Sequence, residues 1–261
     1  MIVALLACVP LVGCAGTLVR TAPARAQQPS DALLILPGFG YGRDGERAIS
    51  AVAASATMEG VSVYVPRYLS RRGIDAGRER LRAFMREQHL ERYERLHVLA
   101  FIAGAWTFNP LVQLDDHPNL ATVIYDRSPL QERAPRIAVD NLRLLAWARY
   151  GSPIFDVART PYTTLTVTHV RVGLMVETRP TKFVRRHASA AERYGPLDFD
   201  CDALGQPHDD CIYLPMSHDD VYTRFAELWP EVRTFIRNAR FSDAADRMPP
   251  IGDPLSELRR R

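Results

Sequence analysis

The chain has 261 residues, of which 47% are hydrophobic and 24% charged, with a formal net charge of +3. This is globular composition, and it is long enough for one α/β domain with a full core and no second domain. A net charge so small and so dispersed excludes a nucleic-acid surface, so no nucleic-acid partner is expected.

Residues 1–19 carry no charge, the first being Arg20, and they read as an export signal. Leu11-Val12-Gly13-Cys14 resembles the lipobox of bacterial lipoproteins, which implies lipidation of Cys14 and a membrane-anchored protein in the periplasm or on the outer-membrane or cell surface. Two alternatives stay open. Ala24-Arg25-Ala26 is a cleavage signature that would release a soluble protein, and the apolar run, though interrupted by Pro10 and Gly13, is near the lower limit of an uncleaved anchor. Residues 20–31, rich in Ala, Pro, Gln and Thr, read as a linker.

The domain then runs from 32 to 240. Ala32 to Leu36 is a continuous apolar run suited to a strand covered on both faces, and it ends in Pro37-Gly38-Phe39-Gly40. Apolar spacing predicts a helix over 44–58, a strand over 61–66, a helix over 75–90 and a strand over 96–101. A short helix and a strand over 120–125 follow. This alternation predicts a doubly wound, mostly parallel sheet whose ligands bind at the carboxyl ends of the strands. Residues 127–170 interrupt the rhythm with a helical stretch, 140–150, between proline-containing loops, and they read as a small helical cap inserted into the domain. A strand over 171–176, a loop-rich stretch over 178–210, a strand over 211–215 and a helix over 219–238 complete it, before a polar tail over 241–261.

Cys201 and Cys211 are the cysteines left once the N-terminal segment is set aside, and in an oxidising compartment they suit a disulfide; two reduced thiols are the alternative. Between and before them stand Asp198, Asp200, Asp202 and Asp209, whose alternate spacing is similar to the start of a calcium loop. The glycine such a loop needs is Ala203, so the favoured reading is a solvated acidic loop. His208 lacks a spaced partner for zinc. No metal and no cofactor are expected.

Ala100-Phe101-Ile102-Ala103-Gly104 has the small-x-nucleophile-x-Gly form of a strand-to-helix nucleophile elbow, Leu36 to Gly40 resembles an oxyanion loop, and Ser217-His218-Asp219-Asp220-Val221 resembles a histidine loop before a final helix. Together, over residues 32–238, these resemble the α/β-hydrolase family. The resemblance implies an oxyanion hole drawn from Gly38, Phe39, Gly40 and Ala103, a base at His218, and an acid at Asp126 or Glu177. It departs from the family at the decisive position, where Ile102 has no atom that attacks a carbonyl. Glu177 has a second reading, as a surface carboxylate paired with Arg179, and His218 one as a cap or a satisfied buried polar group.

The expected function is therefore that of a degenerate member, a pseudoenzyme acting as a binding or scaffold module for a small apolar ligand or a protein partner. An esterase or lipase-like hydrolase with a displaced nucleophile, Ser128 or Ser217, is the alternative, as is water activated by His218. The elbow is expected either to relax around Ile102 or to keep its local shape with Ile102 packed as core. Arg67, Arg71, Arg72, Arg78, Arg80 and Arg82 crowd one loop and helix, where they either meet an anionic lipid or polyanion or form a solvated face with glutamate partners.

Overall fold

A computed structural model of the chain describes residues 17–22, 30–126, 133–195 and 199–252. Cys14, the 24–26 signature, Ser128 and Asp198 lie outside the described residues. The core is a seven-stranded sheet built from β1 (Leu18–Arg20), β2 (Asp31–Leu36), β3 (Val61–Val65), β4 (Arg95–Ala100), β5 (Leu120–Asp126), β6 (Arg171–Arg179) and β7 (Asp210–Ser217), in the order β1-β3-β2-β4-β5-β6-β7. All neighbours from β3 to β7 are parallel, and β1 alone runs antiparallel, along the outer edge of β3.

Both faces of the sheet are covered, which is why its strands read as unbroken apolar runs. Alternate residues of β2 divide between two cores: Ala32, Leu34 and Leu36 pack on the side of α2 (Ile74–Glu87) and α3 (Ile102–Leu114), and Leu33 and Ile35 on the side of α1 (Arg43–Met58). The last long helix follows residues 182–186 and 188–192, which form two short helices, α7 and α8, within the loop-rich stretch. That last helix, α9 (Phe225–Asn238), buries Phe225, Leu228, Trp229, Val232, Phe235 and Ile236 beside α1. It starts at Phe225 rather than 219, because Asp220 accepts from the Ser217 hydroxyl at 2.8 Å and the intervening residues turn.

The described part of the inserted cap is three short helices where one was expected: α4 (Ala134–Asn141), α5 (Arg143–Tyr150) and α6 (Pro153–Arg159). Leu142, with φ −135° and ψ 39°, breaks the run that the spacing alone presents as continuous. The cap has its own small core of Ala138, Val139, Ala146, Ile154 and Ala158, against which Phe39 of the β2–α1 loop packs.

Two segments expected to be peripheral join the domain. Leu18 to Arg20, placed across the signal and linker, form β1. Beyond Arg240, Phe241 is buried, its amide donates to Asp210 Oδ2 at 2.9 Å, and Arg247 makes a two-pronged contact with the same carboxylate. Tyr213 N–H in turn donates to Asp246 O, so packing continues through the start of the tail.

Candidate functional site

The site lies at the carboxyl ends of β2, β4, β5, β6 and β7, where the loops that follow them converge. The elbow keeps the chain trace of its motif: Phe101 N–H donates to Leu36 O at 3.1 Å, and Ile102 starts α3 directly after β4. Gly104 has a packing reason of its own. A Cβ there would lie 2.6 Å from Leu36 O, so the helix can cross β2 this closely only on a bare backbone. The glycine is thus required by helix-on-strand packing whatever residue stands at 102.

Ile102 itself is 9% exposed and belongs to the core that includes Leu36, Tyr68 and Trp106. Its backbone is helical, and the non-glycine residues at positive φ among those described are His89, Arg133 and Ala239. The strained turn that lifts a nucleophile above a sheet is absent at this position, as a β-branched side chain demands.

His218 follows β7 and its side chain is 15% exposed. Its Nδ1 donates to Glu177 Oε1 at 2.8 Å and lies 3.3 Å from Asp126 Oδ2. Both carboxylates are fully buried. Glu177 is therefore no surface partner of Arg179, and the two acid positions, left as alternatives by the sequence, meet at one imidazole nitrogen. The placing of Glu177 owes something to a register shift: Glu177 pairs with Leu214 but Arg179 with Ser217, so β7 carries an extra residue beside Pro215, which has no N–H for the ladder. Burial by itself would lower the His218 pKa, but Glu177 and then Asp126 outweigh it and push it up to about 10. The two buried acids thus favour the charged imidazolium form of His218. A general base needs the neutral ring.

One expected donor of the oxyanion loop is already engaged. Gly38 is buried, and its N–H donates to the Tyr222 hydroxyl at 2.6 Å; a Cβ at Gly38 would sit 3.6 Å from Ala103 N, so the two expected donors do face one space. Tyr222 thus occupies one of the four expected donors, Gly38 N–H. Burial raises its pKa well above the ordinary tyrosine value, so it stays a neutral hydroxyl. Phe101 stacks against it at 4.7 Å between ring centroids and Tyr41 at 5.4 Å. Tyr68 donates to Pro37 O at 2.6 Å and fixes the loop from the other side. Neither tyrosine stood out in the sequence, since Tyr222 sits in a segment expected to be helical and Tyr68 in a plain connection. Phe39 points to the cap, its ring 5.2 Å from that of Tyr150, and Gly40, at φ +89°, turns the chain into α1.

Beside this site, not above it, a cleft of about 290 Å³ opens between the β2–α1 loop, the residues after β3 and the cap. Phe39, Leu69 and Tyr150 give it an apolar body, and Arg67, Arg71 and Arg149 give it charge. It touches Gly38 but neither Ile102 nor His218.

Among the other expected groups, Ser217 donates to Asp220 and not to His218. Cys201 and Cys211 form a disulfide with Cα atoms 6.5 Å apart. Asp209 accepts from Val172 N–H and pairs with Arg171, so it is spent on β6 rather than on an ion, and Asp200 accepts from Asp202 N–H within its own turn. Asp126, Glu177 and His218 offer three donor atoms within 4.8 Å of one another, the spacing a small cation accepts. Nδ1, the nitrogen a metal would need, is the one that carries the proton shared with Glu177.

No family model matches the sequence, and no curated protein matches it. Solved structures do. They include an alpha/beta hydrolase fold protein from Chitinophaga pinensis (TM-score 0.57, 10% identity, covering 85% of this chain and 93% of that one). Est1E from Butyrivibrio proteoclasticus follows at TM-score 0.53 and 14% identity, covering 86% and 98%, and a bromoperoxidase from Bacillus anthracis at 0.51 and 10%, covering 85% and 95%. At such identities the likeness speaks for architecture, and with the parallel sheet and its flanking helices it establishes that this chain has the α/β-hydrolase fold.

Proposed function

We propose that this protein is a non-catalytic α/β-hydrolase-fold binding module. One observation carries the reading: at the elbow stands a buried Ile102 on relaxed backbone, in a fold whose site histidine is clamped by Asp126 and Glu177. Hydrolysis by this fold requires a nucleophile, a neutral base and free oxyanion donors. Here Ile102 stands at the nucleophile position, the two carboxylates favour the charged ring of His218, and one of the four expected donors, Gly38 N–H, is spent on Tyr222. The buried His–carboxylate cluster then serves to hold the ends of β5, β6 and β7 together. Binding falls to the cleft under the cap, whose apolar body with arginines at its edge suits a small apolar ligand bearing an acidic end.

Export and tethering through Cys14 belong to the same reading. A cut before Cys14 keeps Leu18 to Arg20 in the mature chain, whereas a cut after Ala26 discards a strand that pairs with β3, and the Cys201–Cys211 disulfide suits an oxidising compartment. Mass spectrometry of the mature N-terminus distinguishes the two cuts. For the lack of catalysis, the test is a fluorophosphonate probe on the folded protein: no serine is expected to be labelled. Stoichiometric labelling of Ser128, Ser217 or any other serine would overturn the reading in favour of a carboxylic-ester hydrolase with a displaced nucleophile.

A further inference from the structure

The cap exposes apolar surface that its own fold leaves uncovered. In α5, Leu144, Leu145 and Trp147 are 82%, 61% and 58% exposed, while Ala146 is the buried residue of the helix. A soluble domain seldom presents two leucines and a tryptophan side by side on one turn. The two segments that meet here carry charge of one sign, although Asp156 reaches the end of the second at Gly73 and Ile74. Residues 143–150 contain Arg143 and Arg149, and the adjoining loop 66–73 contains Arg67, Arg71 and Arg72, with no carboxylate in either segment. The two segments are fastened together: Arg71 donates to the carbonyls of Trp147 and Ala148 at 3.2 and 3.1 Å, and its guanidinium lies 6.0 Å from the Trp147 ring.

The chain's direction adds an independent observation. Because β1 is antiparallel to β3, with Leu18 opposite Val65, Thr17 lies at the carboxyl end of β3, and its hydroxyl accepts from Arg67 N–H at 3.3 Å. Thr17 therefore stands at the end that bears the cap, beside one of these arginines, and the sixteen residues that precede it in sequence hold no charged side chain. Thr17, the arginines and the exposed tryptophan share one end of the molecule.

We infer that this end is a membrane-facing surface, on which α5 lays Leu144, Leu145 and Trp147 into the interface of an anionic bilayer while the surrounding arginines meet lipid phosphates. Tryptophan and leucine at the headgroup boundary with arginine around them is the arrangement such an interface stabilises, and one apolar segment plus a basic patch gives the two signals that firm attachment needs. The inference does not depend on whether the elbow is inert.

The test uses the full chain with vesicles of phosphatidylcholine alone or mixed with phosphatidylglycerol, some carrying acyl chains brominated near the headgroup. Trp106 and Trp229 are buried, so the emission lost in Trp147→Phe is that of Trp147. On anionic vesicles Trp147 emission should shift to the blue and be quenched by the brominated lipid. The double change Leu144→Glu with Leu145→Glu should abolish that quenching at unchanged circular dichroism, and Arg143→Gln should raise the anionic lipid needed for half-quenching about fivefold. Vesicle-bound protein with unquenched Trp147 would overturn the inference, leaving residues 1–16 as the sole attachment. Failure to bind vesicles would overturn it too. So would self-association in the absence of lipid that Leu144→Glu dissolves, since the patch would then be covered by a second copy.

Discussion

Ile102 opens α3 with ordinary helical backbone, and the consequences for its neighbours are testable one residue at a time. Ile102→Ser places a hydroxyl on an unstrained helix start, without the strained backbone by which an elbow presents its nucleophile, in a protein whose buried carboxylates favour the charged ring of His218. Ester hydrolysis by that variant at pH 7 to 8 is expected to equal that of the parent protein, measured with a short-chain nitrophenyl ester. Removing the histidine has the opposite character, because it is structural. His218→Ala leaves Asp126 and Glu177 facing one another in the interior, fully buried and without their cation, and should cost about 3–5 kcal/mol of stability in urea unfolding. A loss below 1 kcal/mol would mean that the cluster contributes nothing to the fold.

At the scale of elements, two contacts set the site's frame. Gly104 lets α3 approach β2 so closely that a methyl group would meet Leu36 O at 2.6 Å, a backbone atom that cannot swing aside. Gly104→Ala should therefore destabilise by about 1–3 kcal/mol despite alanine's better helix propensity, as thermal unfolding will report. The elbow's glycine thus persists without the elbow's chemistry, and a motif that retains it identifies packing rather than catalysis. The other contact is β1. Its three residues cover the outer edge of β3, where Val63, Tyr64 and Val65 would otherwise offer an unpaired, buried-type strand to solvent. A chain starting at Gln27 should lose about 1–2 kcal/mol and aggregate more readily on heating, seen by light scattering, because an open apolar edge recruits other strands.

For the whole molecule the buried cation writes a pH signature. His218 has a folded pKa of about 10, above its ordinary unfolded value of 6.5, so its stabilising contribution is complete below pH 6.5 and is lost as pH rises through about 10. The melting temperature is expected to fall steadily across that window. In His218→Gln the slope should vanish, while the buried tyrosines, Tyr68, Tyr125 and Tyr222, held neutral by burial, add their own loss only above the ordinary tyrosine value of about 10. An unchanged slope in the variant would assign the effect to other groups. At the acid end the sign reverses: Asp31 and Asp210, both held below the usual carboxylate value by arginine and hydrogen-bond partners despite their burial, lose their stabilising pairs as pH falls.

The parallel α/β order was legible in the sequence because strands covered on both faces must be apolar throughout, and helices covered on one face must repeat every three to four residues. Ala32 to Leu36 and Phe225 to Ile236 could hardly be read otherwise. The three loops of the site were legible for the same local reason, since turns after strands need Pro37, Gly38 and Gly40 in a short space. One break was not: Leu142, in an unremarkable apolar stretch, departs from helical backbone and separates α4 from α5, whereas Gly151 and Pro153 mark the next boundary in the sequence itself. The choice of acid was equally out of reach, because Asp126 and Glu177 are 51 positions apart in number and come together through the pairing of β5 with β6 and a shifted register at Pro215. So too with Tyr222, four residues beyond His218, whose hydroxyl meets Gly38 across the sheet. The sequence by itself determined the layers of this protein and put an isoleucine at the centre of the elbow motif, for these depend on side-chain type and local period. Only the tertiary structure decided that His218 meets both carboxylates and that Gly38 N–H meets Tyr222, for both depend on distances between segments far apart along the chain.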